Sequence, residues 1–156
     1  MRLEDIVVGQ SAEFGKTITE ADVALFAGIT GDFNPVHVDA VAAARSRFGG
    51  RIAHGMLSAG LISATLASRL PGPGSIYLTQ TLRFTAPVRI GDTVTARVSV
   101  VEIIAPKRRV RLSTVCRNQD GLTVLDGEAT VLVPEEISDS SGTSLKTSEA
   151  SAAVTT

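Results

Sequence analysis

The stretch from Gly55 to Leu70 contains no acidic residue, and it constrains the fold more than any other part of the chain. Met56, Leu57, Leu61, Ile62, Leu66 and Leu70 recur at helical spacing and spread an apolar surface widely around the axis. Ala59, Gly60, Ala64 and Ala67 keep the same helix slim. A helix with so little polar surface has to be covered on most sides. Pro71-Gly72-Pro73-Gly74 ends it.

The downstream sequence supplies the cover. Ser75–Phe84 is rich in β-formers, and Val94, Ala96, Val98 and Val100 alternate with more polar neighbours, as one buried sheet face requires. Val110, Leu112, Thr114 and Cys116 continue the alternation after a turn near Ala105-Pro106-Lys107. Asn118-Gln119-Asp120-Gly121 marks another turn, followed by a strand from about Thr123 to Val133. Helices first and antiparallel strands afterwards predict an α+β domain, with one buried helix held against a curved sheet.

Upstream, Thr19-Glu20-Ala21-Asp22 reads as a helix start, with Thr19 as cap and acids in the first turn. Val23, Phe26 and Ala27 follow at helical spacing, and the helix should stop near Gly31. Gly31-Asp32-Phe33-Asn34-Pro35-Val36-His37 then reads as a tight loop, because Pro35 keeps Asn34 out of helical geometry. Asp39 is placed to cap a short helix over 40–44.

At 156 residues the chain suits a single domain, expected over 1–134. Residues 135–156 are mostly Ser, Thr, Ala and acids, too poor in large apolar groups to offset ordering entropy, so a disordered tail is expected there. A formal net charge of −1 gives no reason to expect nucleic acid or an anionic membrane as partner. No apolar run reaches the roughly 18–20 residues that span a bilayer. The first residues, Met1-Arg2-Leu3-Glu4-Asp5, do not read as a signal peptide. Cys116 is the only cysteine, so no internal disulfide can form, which fits a cytoplasmic location. Two His and one Cys are too few for a metal site built on soft or imidazole ligands, and the expectation is metal-free chemistry.

One segment is chemically loaded. Phe26-Ala27-Gly28-Ile29-Thr30-Gly31-Asp32-Phe33-Asn34-Pro35-Val36-His37, with Ala43 six residues on, resembles the signature of the MaoC-like or R-specific enoyl-CoA hydratase family. Ala53-His54-Gly55-Met56-Leu57 at the head of the apolar helix, and Pro71-Gly72-Pro73-Gly74-Ser75-Ile76-Tyr77-Leu78 after it, come in that family's order and spacing. The similarity runs from about Ile6 to Val133. It implies a hot-dog fold, in which a curved antiparallel sheet wraps a long central helix. It also implies reversible hydration of a trans-2-enoyl-CoA to the (R)-3-hydroxyacyl-CoA by a homodimer. Coenzyme A enters only as part of the substrate, with no separate cofactor, and acyl carrier protein is an alternative carrier.

The resemblance assigns roles residue by residue. Asp32 and His37 would hold the catalytic water and exchange its protons, each such group being worth about 10²–10⁴ in rate. Pro35 would stiffen the loop and Asn34 hydrogen-bond across it. The backbone N–H of Gly55 would serve the thioester oxygen, a donor commonly worth about 3–4 kcal/mol. Ser63 would lie near the dyad and Leu66 along the acyl group. His54 reads as structural. The run Lys107, Arg108, Arg109 and Arg111 reads as a solvated surface rather than a coenzyme A phosphate site. A hot-dog thioesterase, a carrier-protein dehydratase of fatty-acid synthesis and a non-catalytic thioester-binding subunit are the competing activities. The absence of a carboxylate on the central helix counts against the thioesterase.

Overall fold

The structure, a computed structural model, describes residues 1–135. Strand β1 (Ser11–Thr17) precedes helix α1 (Glu20–Thr30), which is followed by α2 (Pro35–Val38), α3 (Ala40–Arg45) and α4 (Gly55–Ser68). Strands β2 (Ile76–Gln80), β3 (Arg83–Phe84), β4 (Thr93–Ile104), β5 (Arg109–Arg117) and β6 (Thr123–Leu132) complete the chain. The disordered tail predicted for 135–156 falls, beyond Glu135, outside the described residues.

The strands form one antiparallel sheet in the order β1-β4-β5-β6-β2, with β3 also paired to β6. Helix α4 packs on β4, β1, β5 and β6, so the apolar helix is covered by the sheet as its composition demanded. Ile62, Leu66 and Leu61 on the helix meet a sheet face that includes Val94, Ala96, Val98, Val110, Leu112 and Leu125. The alternation read from the sequence holds: Val94, Ala96, Val98 and Val100 are buried, and so are Val110, Leu112, Thr114 and Cys116.

Two features differ from the expected layout. A strand precedes the helices, because β1 joins the sheet edge beside β4 through the register Ser11↔Ser99 to Thr17↔Thr93. Its sequence, Ser-Ala-Glu-Phe-Gly-Lys-Thr, is weak in β-formers, and backbone pairing supplied by β4 decides its state. The 75–84 segment is also two strands instead of one, broken where Thr81 crosses Gly127 of β6.

Helix α4 has one bare face. Ser58, Ala59, Leu61, Ile62, Thr65 and Leu66 are buried, while Met56, Gly60, Ser63 and Ala67 are exposed. Strand β2 lies at an end of the sheet and exposes Ile76, Tyr77 and Leu78.

Candidate active site

Helix α1 carries the chain to the site and stops on cue. Thr19 and Asp22 form a reciprocal capping box, and Gly31, at φ +76°, closes the helix with its N–H donated to the Ala27 carbonyl. Asp32 follows at once. The Asn34 amide N–H donates to Asp32 Oδ1 at 3.2 Å, and the Asn34 side-chain oxygen accepts from the Val36 N–H at 3.4 Å. Pro35 opens a single helical turn with its fixed φ and missing donor, so α2 stands where a loop was expected. His37 rides on that turn and is buried. An Asn cap followed by Pro at the first helical position was the signal available in the sequence. Asp39 caps α3 by accepting from the N–H groups of Val41 and Ala42.

The second half of the site comes from the segment leading into α4. The Ile52 N–H donates to the Val36 carbonyl and the Ala53 N–H to the Val88 carbonyl, which fixes His54 and Gly55 between α2 and the 86–89 stretch. His37 Nδ1–H donates to the Ile52 carbonyl at 2.9 Å. A carbonyl can only accept, so the neutral imidazole carries its proton on Nδ1 and leaves Nε2 as a bare lone pair. Arg51 braces the same turn: Nε donates to the His37 carbonyl at 2.6 Å, and a second guanidinium nitrogen pairs with Glu20.

His54 lies beneath this arrangement, only 2% exposed. Its Nε2–H donates to the Asp32 carbonyl at 2.9 Å, and its ring stacks on His37 with centroids 3.9 Å apart and planes 32° apart. Phe26 of α1 backs the other side at 4.8 Å. The remaining nitrogen, Nδ1, is buried without a partner among the described residues. The structural role expected for His54 therefore has a definite content: it ties the Asp32 backbone to the helix start.

A carboxylate oxygen of Asp32 and one ring nitrogen each from His37 and His54 lie within 4.8 Å of one another. Two groups hydrogen-bonded to one water at about 2.8 Å each, at a near-tetrahedral angle, stand about 4.6 Å apart. A separation of up to 4.8 Å between Asp32 and His37 is compatible with one shared water. The same three groups also have the ligand types of a metal site, each imidazole keeping one nitrogen free while the other donates to a backbone carbonyl.

His37 opens onto a cavity of about 320 Å³ that Gly55 also lines. As the first residue of α4, Gly55 has an N–H with no acceptor among the described residues, at the positive end of the helix dipole. A Cβ at Gly55 would stand 2.7 Å from the Phe84 ring, so glycine is what lets that ring lie against the helix start. Phe48, Met56, Phe84, Val88 and Val124 make the wall mostly apolar, and Arg47 contributes its one formal charge among the described residues.

Ser63 and Leu66 are not brought to this cavity. The cavity sits at the first turn of α4, and Ser63 is eight positions further along, roughly 12 Å at 1.5 Å per residue. Ser63 lies on the exposed face, and Leu66 is a core residue 2% exposed. Two members of the basic run are engaged elsewhere. Arg108 donates to the carbonyls of Val133 and Pro134 and pairs with Glu4 and Glu135, while Arg111 pairs with Glu102. None of these residues lines the cavity.

A long helix packed against one antiparallel sheet is the architecture of the hot-dog class of domain. The family model described as "MaoC like domain" matches residues 5–121, and the chain belongs to that family. It is 56% identical over 131 residues to an (R)-specific enoyl-CoA hydratase of Rhodospirillum rubrum, covering 84% of this chain and 90% of the relative. It is 54% identical over 133 residues to a 3-hydroxybutyryl-CoA dehydratase of Methylorubrum extorquens, covering 85% and 84%. Among solved structures, the unliganded R-hydratase PhaJ1 from Pseudomonas aeruginosa superposes with a TM-score of 0.82 at 53% identity, covering 86% of each chain.

Proposed function

We propose that this protein is a hydro-lyase that adds water reversibly to a trans-2-enoyl-CoA, giving the (R)-3-hydroxyacyl-CoA. The observation that carries the reading is the Asp32 carboxylate and the His37 imidazole within 4.8 Å of each other, with His37 lining the same cavity as Gly55. Relatives above 50% identity with hydratase and dehydratase names support it.

The thioester oxygen accepts from the Gly55 N–H, which draws electrons from the alkene and stabilises the enolate that forms. One water sits between Asp32 and His37. Its oxygen bonds to C3 as one O–H bond breaks, and C2 takes up a proton from the same pair. Hydrogen and hydroxyl both come from water, so the reaction needs no cofactor beyond the coenzyme A carried by the substrate. Run backwards, the same groups eliminate water.

The bare face of α4 and the free edge of β2 support a homodimer. A partner covering Met56, Ile76, Tyr77 and Leu78 would bury surface that the monomer leaves wet. In that assembly Ser63 borders the acyl chain and Leu66 backs it. Acyl carrier protein shares the pantetheine arm and is the alternative carrier. Among the described residues no helix is long and apolar enough to cross a membrane. The lone, buried thiol of Cys116 fits a cytoplasmic setting.

Crotonyl-CoA hydration, followed by loss of enoyl-thioester absorbance, tests the reading. Asp32→Asn and His37→Gln should each lower kcat by about a hundredfold or more with the circular dichroism spectrum unchanged. Wild-type turnover in either variant would overturn the dyad assignment.

A further inference from the structure

The cavity at the head of α4 has an uneven electrostatic character. Its wall is largely apolar and includes no acidic residue, and its single formal charge among the described residues is the guanidinium of Arg47. Arg47 is exposed, so that charge stands at the solvent edge, while His37 lies buried at the reacting end.

Most arginines around the site are already spoken for. Arg51 is held by Glu20 and the His37 carbonyl, and Arg89 donates to the carbonyls of Phe48 and Gly50. Arg47 has no carboxylate within ion-pair distance among the described residues. Its guanidinium instead rests over the Phe48 ring, 4.8 Å from the centroid. The contact leaves the guanidinium's N–H donors unpaired while limiting where the side chain can swing. The loop beneath is also fixed, since Arg89 grips it on both sides of Gly49.

We infer that Arg47 is a phosphate-binding residue for the substrate's carrier, placed where an apolar arm lying in the cavity would emerge into solvent. The inference rests on the proposed enoyl-thioester activity and assigns one end of that site. A largely apolar cavity with the buried His37 in its wall and one exposed cation at its solvent edge matches a ligand with a neutral arm and an anionic head. Pantetheine with its attached phosphate has that build. A low-dielectric wall around one positive charge strengthens the attraction for such an anion, and a guanidinium pairs with phosphate through two parallel N–H donors. Phosphate is common to coenzyme A and to the prosthetic arm of a carrier protein, and Arg47 would serve either.

The test compares wild type with Arg47→Gln on three crotonyl thioesters: of coenzyme A, of 4′-phosphopantetheine and of pantetheine. Arg47→Gln should raise KM for the coenzyme A thioester about tenfold, hold kcat within twofold, and leave the pantetheine thioester unchanged. If phosphopantetheine behaves like coenzyme A, the phosphate shared with carrier proteins is the one bound. If it behaves like pantetheine, the nucleotide's own phosphates are bound. Equal KM changes on all three thioesters, or none on any, would overturn the inference. Calorimetric binding of free coenzyme A reads the same residue without turnover, and Arg47→Gln should weaken it about tenfold. A wild type that binds coenzyme A but hydrates no enoyl thioester would sink the proposed activity and leave Arg47 standing. Equal coenzyme A affinity in the two proteins would sink the inference alone.

Discussion

His54 donates its Nε2–H to the backbone carbonyl of Asp32, and it does so while leaving its own Nδ1 buried and unpartnered among the described residues. An unsatisfied buried acceptor costs about 1–3 kcal/mol, which an apolar ring such as Phe would avoid. Phe at this position would, however, lose the hydrogen bond to Asp32. The same residue immediately precedes Gly55, so one side chain sets the position of the carboxylate relative to the helix-start amide. His54 is a positioning residue in this account, acting through Asp32.

Two substitutions separate the ring from its donor. His54→Phe keeps a ring stacked between Phe26 and His37 but loses the N–H, and its kcat should fall about tenfold at nearly constant KM. His54→Gln loses the ring but can place an amide N–H near the same point, and kcat should recover to within about threefold of wild type. Thermal melting of both proteins checks that activity does not simply follow stability. Equal losses in the two variants would assign the effect to packing.

Asp22 gives the fold a pH signature. The Lys16 ammonium beside it, with the backbone N–H and hydroxyl of Thr19, holds its carboxyl down at about 2. A depressed folded-state value means that ionised Asp22 stabilises the protein above its unfolded value of 3.8, and that this contribution is lost as pH falls towards about 2. Asp22→Asn preserves an oxygen for the cap and removes only the charge. At neutral pH it should cost about 1 kcal/mol, or a few degrees in Tm. The gap between the two proteins should close across pH 4 to about 2, followed by chemical denaturation. A gap that persists unchanged at the acid end would show that charge is not what Asp22 supplies.

How far the sequence foretold this structure depended on whether the deciding interaction was local. The capping box at Thr19 and Asp22, the Gly31 stop and the Asp39 cap all involve residues within four positions of each other, and all were readable. The alternation in β4 and β5 was equally plain, because one face of each strand is buried along most of its length. Strand β1 was hidden because its identity comes from a partner some eighty residues away. The wall of the site cavity was missed for the same reason: Phe84 and Val124 reach Gly55 only once β3 and β6 have paired. Arg47 carried no signal at all in a sequence with arginines on either side of it, and what sets it apart among the described residues is that it alone brings a formal charge to the cavity wall.

Two glycines contact neighbours closely, and their replacements should separate stability from function. At Gly127 an added Cβ would fall 1.8 Å from the Thr81 carbonyl oxygen, at the point where the chain crosses from β2 to β3. That oxygen is backbone, and Thr81 is tied to Glu128 by its N–H and by its hydroxyl, so it has little room to retreat. Gly127→Ala should therefore cost more than about 3 kcal/mol and yield little folded protein. At Gly55 the obstacle is the edge of the Phe84 ring, at 2.7 and 2.8 Å, and that side chain is 53% exposed and free to swing. Gly55→Ala should cost under about 1 kcal/mol. The displaced ring then narrows the cavity beside His37 and raises KM for crotonyl-CoA several-fold. Thermal melts and steady-state kinetics on both variants read the contrast directly. A Gly127→Ala protein as stable as wild type would show that Thr81 can move after all, and the crossing would then not require glycine.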